Sequence, residues 1–430
     1  MRIVCDLHLH SKYSRATSRN LDLTELSKWA TIKGITLLGT SDFTHPQWFS
    51  ELEQSLVQDE TGFYILRDTA QTTAKLPLLL HHQPIHFVPT VEISCIYSKA
   101  GATRRVHVIV VAENLERARA INERLSTIGN IRADGRPILG LDVKELLKIV
   151  LDVSDRNLLI PAHVWTPWFA VFGSKSGFDS LEECFEELTP QIFAVETGLS
   201  SDPSMNWRMQ FLDSQLIVSF SDAHSGAKLG REATVFEMDP LTYDNFYNIF
   251  SQRQHKSVIE TIEFYPEEGK YHVDGHRECG IRITDPKETK RLNNICPKCF
   301  RKLTIGVMHR VEDLASFESG RKSPLAAPFR HIVPLPEIIA EVRGVGISSK
   351  RVQDEFFQII ERGGSEFPLL LDVPESELLT ICAPEIAAGI LKVRNNELHI
   401  EPGYDGVFGS VHLFTEEERR RLTPHQSSLL

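Results

Sequence analysis

The chain has 430 residues, 41% hydrophobic and 24% charged, with a formal net charge of −11. That length and balance describe two or three globular domains with cores of their own and exclude a low-complexity chain. No stretch approaches the roughly 20 uninterrupted apolar residues that cross a bilayer, and the acidic total argues against a non-specific nucleic-acid coat.

The start, MRIVCDLHLH, lacks a charged segment followed by a long apolar run and a cleavage site, so secretion is not expected. Seven cysteines, three of them in one short segment, argue against a disulfide framework and for a reducing cytoplasm. The charge is unevenly spread: residues 270–330 hold 13 Lys and Arg against 7 Asp and Glu. A basic middle in an acidic chain fits local binding of a polyanion, although a solvated face has the same composition.

In chain order, the first element is CDLHLHSKYS (5–14), where Asp6, His8 and His10 alternate with Cys5, Leu7 and Leu9. Alternation on a strand places the three polar side chains on one face. Short apolar runs follow at 35–42, 86–93, 105–112, 157–164, 191–198 and 215–224, with amphipathic helices at 23–34 and 143–153 between some of them. Strand then helix, repeated, predicts βα units in a mainly parallel sheet or barrel, with functional groups at the C-terminal strand ends. Those ends carry His8, His10, Asp42 with His45 nearby, Glu92, His107, His163, Glu196, and Asp222 with His224. A lone histidine is more often a satisfied core residue, but so many ionisable groups at strand ends need partners or metals. Imidazole and carboxylate together suit Zn, Mn or Fe, and a bridging carboxylate can hold two ions.

D-L-H-L-H at the start, S-D after the second strand, V-E-I-S, V-H-V, P-A-H-V-W and S-D-A-H resemble the polymerase and histidinol phosphatase (PHP) family. The resemblance implies an α/β fold, a distorted (βα)7-type barrel that hydrolyses phosphoesters with strand-end metals. Carried over by position, the ligands are His8, His10, Glu92, His107, His163, Asp222 and His224, with Glu92 as the bridge. Phe43 stands where many relatives have a histidine, leaving Asp42 or His45 as substitute. Arg15 stands near where another ligand is common, so two divalent metals (Zn, Mn, Mg or Fe) are expected, with a third site left open. Arg15 would instead hold a phosphate or form a surface ion pair. Glu196 is either a ligand or a group that orients one.

The next segment reads HRECG (276–280) and CPKCF (296–300). Two close pairs at this spacing predict a structural zinc held by His276, Cys279, Cys296 and Cys299, with His272 as the alternative histidine. Arg277, Lys298, Arg301 and Lys302 would then face a polyanion. From about 325 the pattern turns helical, and VPLPEIIAEVRGVGISSKRVQDEFFQII (333–360) reads as helix, glycine turn, helix. The expected domains are 1–265, 266–312 and 313–430, the last mainly helical and DNA-binding.

The long motifs YHVDGHREC…CPKCF, LTIGVMHRVEDLA, IPAHVWTPWFAVFGSKSGFDSLEECF and AVETGLSSDPSMNW together resemble the endonuclease Q family over nearly the whole chain. That resemblance implies a DNA repair endonuclease cutting 5′ of deaminated bases (uracil, hypoxanthine, xanthine) and at abasic sites. Asp222, His224 and Glu92 would carry the chemistry, and the setting would be the nucleoid. Aromatic-rich TPWFAVFG (166–173) is a candidate base pocket or, equally, core; Trp48 is similar. The terminal QSSLL resembles a sliding-clamp peptide, against the plainer reading of a frayed end. The competing functions are a histidinol-phosphatase-type phosphomonoesterase, which needs neither zinc module nor helices, and a non-catalytic DNA-binding relic of the barrel.

Overall fold

The structure, a computed structural model, describes residues 1–81 and 84–422. Strand Arg2–Asp6 pairs in parallel with Leu37–Gly39, which pairs in parallel with His86–Val88. Pro89 interrupts the ladder, and the chain continues as a long hairpin, Thr90–Lys99 with Ala102–Val111. The second hairpin strand pairs antiparallel with Leu158–Pro161. Val164 N then donates to Glu196 O at 3.0 Å, joining the end of that strand to Ala194–Glu196. Ala194–Glu196 runs parallel to Leu216–Val218, and a parallel bridge, Leu9 to Ala223, returns to the first strand. The ring is closed but irregular, which is a distorted barrel.

Val91 and Ile93 of Thr90–Lys99 face one apolar cluster, while the other takes residues from most strands of that ring, including Ile3, Leu37, Val88, Ile109, Ile160, Ala194 and Leu216. It is the barrel interior, and its burial supplies the main driving force for the ring. Helix Leu23–Lys33 is capped by the Asp22 side chain accepting from Glu25 N and ends at Gly34, whose φ of 89° suits glycine. Helix Val143–Val153 is capped in the same way by Asp142.

The mainly parallel expectation needs correction. The strand containing His107 is the return limb of a hairpin, antiparallel to both neighbours. Its apolar run has the same composition as a buried parallel strand, so only the tight turn at Ala100–Gly101 betrays it.

Hairpin Asp274–His276 with Ile281–Ile283 and the turn at Cys296–Cys299 form a small unit with its own core of Ile283, Cys296 and Leu303. The expected boundary at 312/313 falls inside helix Val307–Leu314. Five helices follow between Leu335 and Arg394. The region beyond 313 is not helical throughout: strand Phe329–His331 joins the sheet beside Val258–Glu263, and Ser410–His412 pairs with His399–Glu401. Lys33 Nζ meets Glu366 Oε2 at 2.5 Å, both nearly inaccessible, locking the helical region onto the barrel. Among the described residues, no helix is long and apolar enough to cross a membrane.

Candidate metal centre

His8 and His10 follow the first strand, and Asp222 arrives on the segment that the Leu9–Ala223 bridge holds beside them. His10 Nε2 lies 3.1 Å from Asp222 Oδ1 and 3.2 Å from Glu92 Oε2. His8 Nε2 lies 3.5 Å from the same Glu92 oxygen and 3.6 Å from Asp222 Oδ1. A second cluster uses the other oxygen of the same carboxylate: Glu92 Oε1 is 2.5 Å from His107 Nδ1 and 3.2 Å from His163 Nε2. Glu92 therefore faces one cluster with each oxygen, the arrangement a bridging carboxylate needs.

The groups behind these side chains set their orientation. His8 Nδ1 donates to Glu196 Oε1 at 2.9 Å, and Glu196 Oε2 accepts His163 N at 2.7 Å. That tautomer, assigned from the network, turns a lone pair on His8 Nε2 toward the cluster. Asp42 lies 3.5 Å from His10 Nδ1 and accepts from Ser11 N at 2.8 Å, Ser11 Oγ at 2.6 Å and Ser14 Oγ at 2.8 Å. Three of these residues sit on left-handed backbone: Asp42 at φ 43°, His163 at 30° and Asp222 at 46°. Such conformations cost about 1–3 kcal/mol each and persist where the surroundings impose them. Gly198 makes room for one, because a Cβ there would lie 2.3 Å from that of His163.

The electrostatics fit divalent cations. His8 Nε2 is buried without a hydrogen-bond partner and aims at two carboxylates. Burial opposes protonation of His8, yet Glu196, Glu92 and Asp222 push its pKa well above the usual imidazole range. Burial also opposes ionisation of Asp222 and Glu92, but neighbouring imidazoles hold both below the usual carboxylate range. Burial depresses His107 to about 4 against the pull of Glu92, leaving it neutral with a lone pair. A nest of this kind requires positive charge, and its mixed N and O donors suit Zn, Mn or Fe.

The structure does not bring every expected ligand into the clusters. Glu196 stands behind His8 and holds it, while Asp42 stands behind His10 and reaches it through Ser14 Oγ, 3.2 Å from His10 Nδ1. His45 stacks on Tyr13 at 4.4 Å. His224 packs on His10, ring centroids 4.3 Å apart, with Nδ1 held 3.0 Å from the Asp222 carbonyl. Asp6 accepts Ser221 N and Gly230 N, each at 3.0 Å, and so braces the Asp222 loop.

His276, Cys279, Cys296 and Cys299 form a third cluster, their donor atoms all within 4.8 Å of one another. His272 lies apart from it, buried, with Nδ1 unpaired. Three thiols and an imidazole in a closed set suit a structural zinc. The nearby cations are exposed. Lys298 nonetheless binds the Cys279 carbonyl at 2.9 Å, and Arg301 pairs with Glu278 at 3.1 Å. The Arg277 amide donates to Asp405, Lys302 bridges to Ile295, and Arg15 pairs with Asp134 at 3.1 Å.

Sequence reasoning missed two residues at the centre. Arg136 Nη1 reaches Glu92 Oε2 at 3.1 Å, and Arg231 donates to the carbonyls of Ser221 at 2.8 Å and Asp222 at 3.1 Å. Neither lies in a strand; only a basic residue beside the Gly135 turn or after S-D-A-H hinted at them. Arg231 also lines a cavity of about 540 Å³ with Thr166, Trp168, Tyr271, His272 and Phe408. Thr166 Oγ1 contacts His163 Nδ1 at 3.1 Å, so this cavity abuts the second cluster. TPWFAVFG is thus divided: Thr166, Pro167 and Trp168 line the cavity, Phe169 packs on His107, and Phe172 is core. Trp48 is core.

A barrel carrying two ligand clusters that share one carboxylate is a candidate two-metal centre. Residues 334–397 match the family model described as the MJ0043 C-terminal domain. Over 253 residues, 57% of its length, the chain is 33% identical to the uncharacterized protein MJ0043 of Methanocaldococcus jannaschii, and it spans only 31% of that protein. Among solved structures, the lesion-specific endonuclease PfuEndoQ of Pyrococcus furiosus matches with TM-score 0.82 at 28% identity, covering 96% of this chain and 95% of that one. An endonuclease Q complexed with a 27-mer duplex bearing an abasic lesion at its active site matches with TM-score 0.81 at 29% identity, covering both chains completely. The chain thus shares its fold, over nearly its whole length, with these two endonuclease Q structures.

Proposed function

We propose that the chain is a DNA repair endonuclease. It hydrolyses the phosphodiester on the 5′ side of a deaminated base (uracil, hypoxanthine or xanthine) or of an abasic site. The observation that carries this reading is the shared Glu92 carboxylate beside an aromatic-walled cavity.

His8, His10, Glu92 and Asp222 would hold one divalent cation, and Glu92, His107 and His163 the other. Two such ions supply a nucleophile at neutral pH and stabilise the attacking and leaving oxygens. The chain's part is to fix them: Glu196 locks His8, Asp42 holds His10 through Ser14, and Asp6 braces the loop of Asp222. His224, outside both clusters and partly exposed, would exchange a proton with substrate.

The cavity has the size of a small-ligand pocket and fits an extruded nucleotide. Trp168 and Tyr271 meet edge to face at 5.5 Å, offering rings for stacking. Tyr271 and His272 immediately precede the hairpin that carries His276, so the zinc module's role is to position one wall of the pocket. The helices of residues 334–397 are joined by short turns, including Gly344 at φ 63°, and would extend the DNA contact along the backbone. The clamp peptide QSSLL lies outside the described residues.

The test is a duplex with one deoxyuridine, deoxyinosine or abasic site, incubated with Mn²⁺, Mg²⁺ or Zn²⁺ beside an undamaged control. The expected result is a single nick 5′ of the lesion. Equal cutting of the control, or phosphate release from histidinol phosphate without any nick, would refute the reading.

A further inference from the structure

Among the described residues, Arg136 is the arginine whose side chain contacts Glu92, and the loop carrying it is tied down at several points. Gly135 N donates to Tyr13 O at 3.1 Å, and Gly135 O accepts from Thr44 Oγ1 at 3.4 Å. A Cβ on Gly135 would lie 2.2 Å from Asp42 Oδ2 and 2.3 Å from Ser14 Oγ. The loop therefore packs directly on the residues that hold His10. Asp134 Oδ1 accepts Arg136 N at 3.1 Å and Arg15 N at 3.4 Å, while Asp134 Oδ2 pairs with Arg15 Nε at 3.1 Å. One carboxylate thus fixes the backbone of two arginines at the edge of the centre.

The side chain is neither buried nor free. Arg136 is 32% exposed at the side chain and spans from solvent to a fully inaccessible carboxylate. A guanidinium there would repel divalent cations unless an anion joined them, so its presence beside the bridge is best accounted for by an anionic ligand. A phosphodiester is such an anion, and its oxygens match the planar fork of arginine.

We propose that Arg136, positioned by Asp134, binds a non-bridging oxygen of the scissile phosphate and turns to it from Glu92. This rests on the reading that the centre hydrolyses a phosphodiester. Arg15, 81% exposed on the same carboxylate, stands farther out and is not required for the contact.

Two measurements test it. Inorganic phosphate is titrated calorimetrically into the metal-loaded protein and into Arg136→Ala and Arg136→Lys, with metal content read by mass spectrometry. Separately, binding of a lesion duplex is compared for a natural and a charge-neutral methylphosphonate linkage 5′ of the lesion, in Ca²⁺. Arg136→Ala should weaken phosphate about 10-fold or more, Arg136→Lys less, with metal content unchanged. It should weaken the natural duplex by a similar factor and leave the neutral one unaffected. Unchanged phosphate affinity, equal losses on both duplexes, or loss of metal would overturn the proposal, the last by showing that Arg136 acts through Glu92. A wild type that binds phosphate through Arg136 but nicks no lesion would instead refute the endonuclease reading.

Discussion

The barrel and the Cys/His module each gather side chains that could hold metal, and they do it in opposite ways. The module takes four ligands from 276–299, on a hairpin and a tight turn, with a core of three apolar residues. The barrel takes its ligands from residues as far apart as His10 and Asp222, and a carboxylate stands behind each of His8 and His10. A short closed site needs its metal in order to fold, because so small a core cannot offset chain entropy. A long-range site is assembled by the fold and keeps its geometry before any ion binds. On that reading the module would depend on metal to fold, and the barrel would hold its metal in a site the fold has already built.

The largest expected effect separates chemistry from folding. Asp222→Asn keeps the shape but removes the charge that faces both His8 and His10, and nicking should fall about 10³-fold with lesion binding retained. Nicking assays and gel shifts check this; a variant that still cuts would show that the first cluster is not the reacting one. Next comes Cys296→Ser with Cys299→Ser, or a strong chelator. The module should lose protection in hydrogen exchange and lesion binding should weaken, while the barrel strands stay protected. Barrel unfolding along with the module would break the comparison.

Glu196→Gln keeps a hydrogen-bond partner for His8 but weakens it, and barrel metal affinity should fall about 10- to 100-fold with zinc in the module unchanged. The smallest effect lies at the cavity beside the second cluster. Glu268 lines it, pushed up to about 7 by burial and then by Glu337. A carboxyl raised in the folded state holds its proton there after the unfolded chain has released it. Its contribution is present below pH about 4.5 and is lost as pH rises through about 7. Melting temperatures should show wild type losing stability relative to Glu268→Gln across that window; parallel curves would contradict the buried position.

Local patterns were legible in the sequence. The alternation of Asp6, His8 and His10, helices 23–33 and 143–153, and the Cys/His spacing all follow from short-range geometry. The antiparallel course of the His107 strand was not legible, because a buried strand reads the same in either direction. Nor was the division between residues that face the clusters and those behind them: Asp42 and Glu196 have the same chemistry as Asp222 and Glu92, and only long-range packing sorts them. Arg136 was hidden for the same reason, being placed by a loop whose partners lie at 13–15 and 42–44. The Phe43 substitution becomes intelligible once its ring is seen fully buried in the core beside Asp42, which serves as a brace.

The central claim, that one carboxylate joins two metal positions, is most directly tested by anomalous scattering from Mn²⁺-soaked crystals. The account predicts two manganese peaks, one on each oxygen of Glu92, and a separate zinc peak among His276, Cys279, Cys296 and Cys299. A single barrel peak, or one held by Asp42 and His45, would contradict it.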